Sequence, residues 1–567
     1  MAQLTRRLLA GALALAFLGL PAAHVTEVAA ADGPPNIVVI YMDDVAPHDG
    51  RLWSNPGLTP TLHDRFVAHG IDFTNAIVEN PLCCPARGNL LTGQHTHNNG
   101  VDSNHARKFK PQMHVGKALS DAGYSTMFLG KYLNRAHLLT DAEWQAHAAG
   151  WTHLDVQKEM NGRFEDYRLF TKQGVSTFVG YHSTRMTFDR FELRSRQTPA
   201  NQPLFAVLSI YNLHAPNTPM PEFATDSRCS TMAPWKPPNY NEADMSDKPA
   251  FQQTRPLLPY PNGWPMVGYC REMLGVDWLA ERVVNELEAQ GRLDNTLLVF
   301  TADNGMGWGA HRIGQDKRVP FSTPVPLYMS WPARWGTEPR TISELTTNID
   351  LAPTFCEIGG CTLGPYPGGQ SGPDGVSLLS LIDGNAAHLG RDAVLELATD
   401  PAVTPHWHGL RTTATHPAGL WHYVEWTTGD RELYNLADDP WELNNLANRP
   451  STAFLRQSLS ARLAPLKVAG KVSPPPSTGP SVPQGLTAVP DNNFVIRLSW
   501  QPSTSSTAGP IRYRVWRDGV AIGTKQTALT YVDQRKKVNT FTYRVRAIDA
   551  AGLKSALSPP ITITSKR

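Results

Sequence analysis

The chain has 567 residues, and its 52 lysine and arginine side chains nearly balance 50 aspartate and glutamate side chains, for a net charge of +2. This balance provides no strong field for nucleic acid or an anionic membrane, so neither is expected as a partner and any anion must be bound locally. The length allows one large domain or two to three ordinary ones. Six cysteines permit disulfides but do not make the chain a disulfide scaffold.

The first thirty residues have the charged, apolar and small-residue order of a secretory signal. Arg6 and Arg7 precede the apolar run LLAGALALAFLGL, and three alanines follow at 29 to 31. We therefore predict a signal peptide over residues 1–31 and a secreted protein; the alternative is an apolar N-terminal helix of the folded domain. The run is too short for a membrane anchor and no other segment is apolar for long enough, so no membrane span is expected.

Before residue 466 the pattern is typical of an α/β domain with a central, mostly parallel sheet. Apolar runs of strand length, without alternation, predict strands covered on both faces. These runs are NIVVIY (36–41), STMFLG (125–130), LFAVLSIY (204–211) and NTLLVF (295–300). Between them lie helical stretches, and REMLGVDWLAERVVNELEAQG (271–291) has apolar residues at helical spacing.

The stretch PLCCPARGNLLTG (81–93) sets two cysteines side by side. Neighbouring cysteines are badly placed to bridge each other, so at least one needs another explanation. If Cys83 is reserved for chemistry, the most favourable bridges are Cys229 with Cys270 and Cys356 with Cys361. Cys84 is then left over.

Polar residues follow each predicted strand: Asp43 and Asp44, then Lys131, then His214, then Asp303 and Asn304. In open parallel sheets, ligands bind beyond the carboxyl ends of the strands, so these residues are expected to meet. The aspartates and the asparagine form an oxygen set that suits calcium or magnesium better than zinc. With Lys131, Lys317, Arg87 and His214 nearby, the site would suit a tetrahedral oxyanion. The alternative is that the acidic pairs bond local backbone in turns and that the lysines are solvated.

Proline, serine and glycine dominate VSPPPSTGPSVP (472–483), which indicates a linker, placed at 466–482. Beyond it, alternating segments with turn signals between them predict an all-β sandwich over 483–567. This segment resembles a fibronectin type III module in Trp500, Tyr513, Tyr543 and the closing SPPITI. Because it has no titratable cluster, we interpret it as a spacer or a weak binding module.

Cys83, Pro85 and Arg87 match the C-x-P-x-R signature of type I sulfatases, in which the first cysteine becomes formylglycine. Further blocks over roughly 36–447 are similar to that family in the same order: IYMDD, LTGQHTHNNG, GKYLN, PPNYNEADMSDKP, LDNTLLVFTADNG, NIDLAPTFCEIGG and ELYNLADDPWELNNLA. The forms CCPAR, GKYLN and NEADMSDKP are most similar to the branch of N-acetylglucosamine-6-sulfatases and heparan sulfate endosulfatases. The resemblance implies an alkaline-phosphatase-like sulfatase fold over 34–465.

The resemblance also implies roles for the site residues. Formylglycine at Cys83 would be made by a formylglycine-generating enzyme, and its hydrate would be the nucleophile. Calcium would be bound by Asp43, Asp44, Cys83, Asp303 and Asn304. Arg87 would fix the hydrate, Lys131 and Lys317 would bind sulfate oxygens, and His214 would donate a proton to the leaving oxygen.

One motif departs from the family pattern. Many sulfatases have G-K-W-H where this chain has GKYLN, so Leu133, with Asn134 beside it, replaces a histidine. His137, His311 or His97 could serve instead; His311 is preferred as a further substrate-binding residue, against a structural role.

The sequence therefore predicts a secreted sulfatase that acts on aryl sulfates or on sulfated sugars such as N-acetylglucosamine 6-sulfate, and that takes sulfated polysaccharide as a candidate substrate. Two alternatives remain. One is a phosphomonoesterase or phosphonate hydrolase of the same fold, and the other is an inactive secreted carbohydrate-binding protein.

Overall fold

The computed structural model describes residues 33–45, 50–158, 164–364, 372–400, 405–468, 480–505, 510–550, 552 and 554–567. The predicted signal peptide and most of the predicted linker lie outside these described residues. The strands are β1 Asn36–Met42, β2 Ile71–Phe73, β3 Ala76–Ile77, β4 Ser125–Lys131, β5 His153–Gln157, β6 Tyr167–Thr171, β7 Gly174–Phe178, β8 Leu204–Ser209, β9 Thr296–Ala302, β10 Leu327–Ser330, β11 Arg340–Ile342, β12 Thr346–Thr347, β13 Ala393–Ala398, β14 Trp407–Thr412, β15 Trp421–Trp426, β16 Arg431–Asn435, β17 Thr487–Asp491, β18 Val495–Ser499, β19 Arg512–Arg517, β20 Val520–Gln526, β21 Thr530–Gln534, β22 Thr540–Ile548 and β23 Ile561–Thr564.

Helices connect most of the strands of the larger sheets. They are α1 Pro60–Leu62, α2 Cys83–Thr92, α3 Thr96–Asn99, α4 Val115–Asp121, α5 Asp141–Ala149, α6 Ser183–Gln197, α7 Ala250–Gln253, α8 Val267–Ala289, α9 Pro332–Trp335, α10 Leu351–Gly359, α11 Leu379–Ile382 and α12 Ala453–Leu466. A π-helical segment, His63–Ala68, continues α1. Short 3₁₀ segments are Gly50–Leu52, Ala106–Lys108, Ala136–Leu138, Pro221–Phe223, Ser227–Cys229, Leu293–Asn295, Pro320–Ser322, Asn348–Asp350 and Pro450–Thr452.

A ten-stranded sheet forms the centre of the fold, in the order β11-β2-β10-β9-β1-β8-β4-β5-β6-β7. The five strands β9, β1, β8, β4 and β5 are mutually parallel, whereas β10, β6 and β7 extend the sheet with antiparallel pairs. The predicted α/β class and the parallel centre of the sheet are therefore confirmed. The predicted strand over 204–211 is two residues too long, because β8 ends at Ser209, and the predicted helix over 271–291 begins earlier, at Val267.

The central strands are buried on both faces, as their unbroken apolar sequence predicts. Along β1, Ile37 and Val39 belong to the core on one face, while Val38 and Ile40 belong to the core on the other. This follows from the two-residue period of a strand. The first face is covered by α2, α4, α10 and α11, and the second by α8 together with α6. The parallel strand ends are thereby held in one rigid edge.

A second sheet, β13-β14-β15-β16, is antiparallel and packs against α12 through Leu459 and Leu463. The C-terminal residues form two further antiparallel sheets, β17-β18-β21 and β20-β19-β22-β23. Trp500, Tyr513 and Tyr543 lie in their shared core. The all-β character predicted for this segment is confirmed.

Both proposed disulfides are present, Cys229 with Cys270 and Cys356 with Cys361, and Cys83 and Cys84 are free thiols. The pairing predicted on the assumption that Cys83 is kept for chemistry is confirmed. Among the described residues, none of the helices combines the length and the hydropathy needed to cross a bilayer.

Candidate active site

The site lies at the carboxyl edge of the parallel strands. Asp43 and Asp44 directly follow β1, and Asp303 and Asn304 directly follow the neighbouring β9. Lys131 is the last residue of β4. Because the strands run in the same direction, their ends bring these side chains to one place. All five are buried.

Cys83 is the first residue of α2, as expected for a motif placed at a helix start. Its Sγ lies 3.0 Å from Lys317 Nζ, 3.4 Å from Lys131 Nζ and 3.7 Å from Asp43 Oδ1. Burial is the largest cause of the raised pKa of the Cys83 thiol, and the charge of Asp43 raises this pKa further; Lys131 and Lys317 act in the opposite direction without reversing the shift. The unmodified thiol is therefore poorly suited to act as a thiolate nucleophile.

Arg87 lies one turn further along α2 and is fully buried. Its Nε donates to Asp303 Oδ2 at 3.0 Å, and its Nη2 forms an ion pair with the same oxygen at 2.9 Å. Its Nη1 donates to the Lys131 carbonyl at 3.0 Å and to Ser209 Oγ at 2.5 Å. The guanidinium also lies over the Tyr41 ring, 5.0 Å from its centroid. Arg87 thus joins α2 to the ends of β9, β4 and β8 and holds position 83 in register with the strand ends.

The two lysines are paired with the acidic residues that follow β1. Lys131 Nζ contacts Asp43, and Lys317 Nζ contacts Asp44. Burial lowers the pKa of each lysine, but the adjacent carboxylates outweigh it and raise both pKa values above the usual range. Both side chains are therefore cationic at any physiological pH, and each lies within 3.4 Å of Cys83 Sγ.

The donor set fits a hard divalent cation. Ligand atoms of Asp43, Cys83 and Asp303 all lie within 4.8 Å of one another. Asp303 Oδ1 and Asn304 Oδ1 are buried and lack a hydrogen-bond partner, which is costly unless another group satisfies them. Burial and the charge of Asp43 raise the pKa of Asp303, and a cation between these carboxylates would remove that repulsion.

His214 occupies the open side of the site. Its Nε2 lies 3.7 Å from Asp44 Oδ2, and its side chain is 26% exposed, whereas that of Lys131 is 3% exposed. The residue follows β8 by five positions, after a short irregular segment. Its side chain is therefore more open to solvent than those of the aspartates and lysines of the site.

His311 differs from the other predicted site residues in its contacts. Its Nδ1 lies 2.6 Å from Glu242 Oε2, and its Nε2 lies 3.2 Å from Asn239 Nδ2. Its side chain packs edge-on to Phe321. Among the described residues, no hydrogen bond, ion pair or ring contact identified for His311 joins it directly to Cys83, Asp43 or the lysines. The other two histidines considered lie in short helical segments: His137, in the 3₁₀ segment Ala136–Leu138, is near the Lys158 carbonyl, and His97, in α3, is stacked on His95.

Sequence reasoning missed the partners of the motif residues. Ser209 accepts a hydrogen bond from Arg87. The only sequence signal for this role is the position of Ser209 near the end of an apolar run. Cys84 has a structural contact, because the Asn134 backbone N–H donates to its Sγ at 2.9 Å. This hydrogen bond ties the GKYLN segment, which differs from the family pattern, to α2. Leu133, which replaces the family histidine, is buried in the hydrophobic core that covers one face of the central sheet.

Together the residues make a small buried volume with three fixed cations, Arg87, Lys131 and Lys317, around the side chain at position 83. Such a set binds an anion of tetrahedral oxygens and stabilises charge that develops on it. With His214 on the open side, the arrangement can bind an ester of a strong acid and protonate the group that leaves.

Comparison with known proteins gives the family. Residues 35–361 match the sulfatase family, and residues 309–469 match the family described as N-sulphoglucosamine sulphohydrolase, C-terminal. The chain is 30% identical to an arylsulfatase of Volvox carteri over 80% of this chain and 77% of that protein. It is 28% identical to an N-acetylglucosamine-6-sulfatase of Capra hircus over 73% of this chain and 80% of that protein.

A solved structure described as a complex with its substrate D-glucosamine-2-N,6-O-disulfate shares the fold, with a TM-score of 0.61 at 22% identity. The match covers 76% of this chain and 97% of that one. Both the predicted alkaline-phosphatase-like sulfatase fold and the predicted enzyme class are confirmed. The chain belongs to the sulfatase family and is a sulfuric ester hydrolase.

Proposed function

We propose that this protein is a secreted sulfatase that hydrolyses sulfate monoesters of sugars, such as N-acetylglucosamine 6-sulfate, and accepts small aryl sulfates. The observation that carries the proposal is the position of Cys83, at the start of α2 and within 3.4 Å of two lysine ammonium groups. The sugar class is supported by relatives named N-acetylglucosamine-6-sulfatase. The two lysines suit the oxygens of a sulfate that sits on the side chain of residue 83.

Maturation of Cys83 to formylglycine by a formylglycine-generating enzyme is part of this proposal. Its support is the C-x-P-x-R spacing together with the raised pKa of the thiol, which disfavours the thiolate. The sulfur atom stands where the oxygens of the aldehyde hydrate would lie. When present, that group supplies a hydroxyl nucleophile and a second hydroxyl through which sulfate can later be released.

Calcium is the proposed cofactor, held by Asp43, Asp44, Asp303, Asn304 and the matured residue 83. Its support is the set of unpartnered buried oxygens on Asp303 and Asn304. When bound, the ion supplies positive charge to the sulfate oxygens and to the nucleophile.

The remaining chemistry belongs to the protein's own side chains. Lys131 and Lys317 orient the sulfate by bonding to its oxygens, and their raised pKa values keep them charged throughout. Arg87 keeps α2 and the strand ends in register through Asp303 and Ser209. His214 Nε2, on the exposed side, donates a proton to the ester oxygen as it leaves.

The domain division is also proposed: a catalytic domain over 34–465, a linker over 466–482 and a fibronectin type III-like domain over 483–567. Its support is the separate core of the C-terminal sheets, built around Trp500, Tyr513 and Tyr543. Secretion is supported by the signal-like N-terminus and by the two disulfides, which persist in oxidising compartments.

The function is tested by incubating mature enzyme with four compounds: N-acetylglucosamine 6-sulfate, a sulfated glycosaminoglycan, an aryl sulfate and an aryl phosphate. We expect release of sulfate from the aryl sulfate and from at least one sugar ester. Faster release of phosphate would favour the phosphomonoesterase alternative, and no release from any ester would favour the inactive binding protein. Aryl turnover without sugar turnover would overturn only the sugar class.

A further inference from the structure

The C-terminal segment, residues 483–567, carries an excess of positive charge that the proposed function does not use. It contains 13 lysine and arginine side chains and four aspartates, for a net charge of +9, whereas residues 1–482 contain 39 basic and 46 acidic side chains, for a net charge of −7. The near neutrality of the whole chain is therefore the sum of two opposite excesses. A charge asymmetry of this kind is typical of a segment that binds an anionic partner.

Part of this charge lies on one side of the sheet β20-β19-β22-β23, on a surface that we name the basic face. The basic face is composed of Arg514, Trp516, Lys525, Arg544 and Arg546. The intervening residues of β19 and β22 belong to the buried core, so the two-residue period of a strand places the three arginines and Trp516 on the outer side. Arg514 lies directly opposite Arg546, and Trp516 lies opposite Arg544. Arg544 and Lys525 are exposed, and the other three residues are half-buried.

The basic face places like charges against each other. Directly opposed residues of antiparallel strands have Cβ atoms about 4.5–5.5 Å apart, and like charges in such a pair destabilise the sheet. Arg514 and Arg546 are a pair of this kind. Burial is the largest cause of the lowered pKa of Lys525, and three nearby cations lower this pKa further: Arg512, Lys554 and Arg514. A bound anion would relieve this repulsion.

The ion pairs of the C-terminal segment leave the basic face unneutralised. They join Asp491 with Arg497, and Asp533 with Arg517 and Arg535. Over the described part of the chain, none of the four cations of the basic face forms an ion pair. The Nε atoms of Arg514 and Arg546 are also buried and lack a hydrogen-bond partner there, which is costly unless a further group satisfies them.

The two remaining aspartates do not cover the basic face. Asp549 is buried, and its carboxylate accepts a hydrogen bond from Ser505 Oγ at 3.0 Å. Asp518 follows β19 directly, two residues after Trp516, and its carboxylate accepts from the Thr542 backbone N–H at 2.8 Å. Asp518 therefore marks one end of the basic face and does not pair with its cations.

Arg512 lies at the other end of the basic face, where the C-terminal segment contacts α12. Its guanidinium lies over the Phe454 ring, 3.9 Å from the centroid. Phe454 belongs to α12, whose sequence AFLRQSLSARLAPL has no acidic residue. This helix therefore supplies no negative charge to the basic face, whose cations are available to an external anion.

We propose that the basic face binds a linear phosphodiester polymer of the polyol phosphate type and thereby attaches the enzyme to an anionic surface. This goes beyond the proposed function, because attachment does not depend on the hydrolysis of a sulfate ester. Planar guanidinium groups match phosphate oxygens in pairs. Residues on the same side of a strand, such as Arg544 and Arg546, repeat about every 6.6–6.8 Å. Successive phosphates of an extended polyol phosphate chain have a comparable separation, so one chain can follow the strands.

The composition of the basic face favours this ligand over other polyanions. Sugar rings and nucleic acid bases are bound on open aromatic surfaces, whereas the Trp516 ring is half-buried and has the Arg546 guanidinium over it, 5.1 Å from its centroid. Surfaces that bind a bilayer project large apolar side chains, and Trp516 is the one large apolar residue of the basic face. A sulfated chain carries the ester that the active site hydrolyses, whereas a phosphodiester is not a sulfate monoester and keeps its charges.

The test measures affinity for a synthetic poly(glycerol phosphate) at several salt concentrations. Full-length Cys83→Ala protein is the parent, so that sulfated comparison ligands are not consumed. The face variant combines Arg514→Gln with Arg544→Gln, and at low salt it should bind roughly tenfold or more weakly than the parent. The slope of log Kd against log salt concentration should fall by about 1.4, because each lost phosphate contact removes about 0.7 for a single-stranded polyanion.

The matched control combines Lys536→Gln with Lys537→Gln, which removes the same charge from the segment between β21 and β22. Both lysines are exposed, and the control variant should keep the affinity and the salt slope of the parent. Arg544→Gln alone is a second test, because Arg544 is exposed and its replacement leaves the core intact. This variant should lower the slope by about 0.7, and its melting temperature should equal that of the parent.

Absence of binding by the parent protein at low salt would overturn the inference. Equal losses in the face variant and the control variant would also overturn it, because they would indicate a response to net charge alone. Tighter binding of heparin, single-stranded DNA or anionic phospholipid vesicles at matched charge would overturn the choice of a polyol phosphate. Failure of the proposed function is distinguishable, because mature enzyme would then release no sulfate from any ester while poly(glycerol phosphate) still binds through the basic face.

Discussion

The role of His214 can be tested by replacing it with alanine and comparing two esters that differ in their leaving group. The His214 side chain is the most exposed of the groups around the site, and its Nε2 is 3.7 Å from Asp44 Oδ2. It is placed to protonate the oxygen that departs toward solvent. A sugar alkoxide is a poor leaving group and needs that proton, whereas a nitrophenolate leaves without one.

A positioned general acid contributes about 10²–10⁴-fold, which corresponds to about 2.7–5.4 kcal/mol at about 1.36 kcal/mol per decade. His214→Ala should therefore lower kcat/KM for N-acetylglucosamine 6-sulfate by that factor. For nitrophenyl sulfate the loss should stay below roughly tenfold, because the same variant still has Lys131 and Lys317 in place to bind the sulfate.

The assay measures initial rates on both esters with mature wild-type enzyme, His214→Ala and His214→Gln. The two esters control each other, because damage to the fold or to maturation lowers both rates equally. His214→Gln keeps a polar side chain of similar size but cannot donate a mobile proton, so it should behave like the alanine variant. Equal losses on both esters would refute the assignment of His214 as the proton donor.

Three further outcomes are expected. Chelation should abolish turnover and calcium should restore it, because Asp43, Asp44, Asp303 and Asn304 offer oxygen donors; restoration by zinc alone would contradict this. A chain ending at Pro474 should keep its rate on an aryl sulfate, since the named site residues precede 320, and a large loss would show that the C-terminal sheets support the site. Burial and Arg411 lower the pKa of His422, but Glu442 and Glu396, each 2.8 Å away, raise it to about 9. The charged imidazolium therefore stabilises the folded protein fully below about pH 6.5, and this stabilisation is lost as the pH rises through about 9. The melting temperature should fall across that pH window, and the fall should be smaller for His422→Gln.

The centre of the fold could be predicted because its sequence has one dominant pattern. Strands covered on both faces need unbroken apolar runs, and the four runs found correspond to β1, β4, β8 and β9. Their order in the sheet and the antiparallel strands β10, β6 and β7 depend on long-range pairing, for which these short sequences have no local signal. The end of β8 also could not be predicted from its apolar run. The Ile210 N–H still donates to the Tyr41 carbonyl, but the strand ends one residue earlier, at Ser209.

Site residues that directly follow a strand, or end one, could be identified from the sequence. Asp43, Asp303 and Lys131 share an edge because their strands, β1, β9 and β4, run parallel in one sheet. Lys317 and His214 stand on loops, and the resemblance supplied their roles. The buried partners, Ser209 for Arg87 and Glu242 for His311, are fixed by tertiary packing that residue spacing does not encode.

The central claim is that position 83 becomes the nucleophile after conversion of its thiol to an aldehyde. The most direct measurement is peptide mass spectrometry of active enzyme made together with the modifying enzyme, on the peptide that contains Cys83 and Cys84. We expect the mass loss of thiol-to-aldehyde conversion at 83 alone, because only Cys83 stands two residues before Pro85 and four before Arg87. Conversion at 84, or active enzyme with both thiols intact, would contradict it.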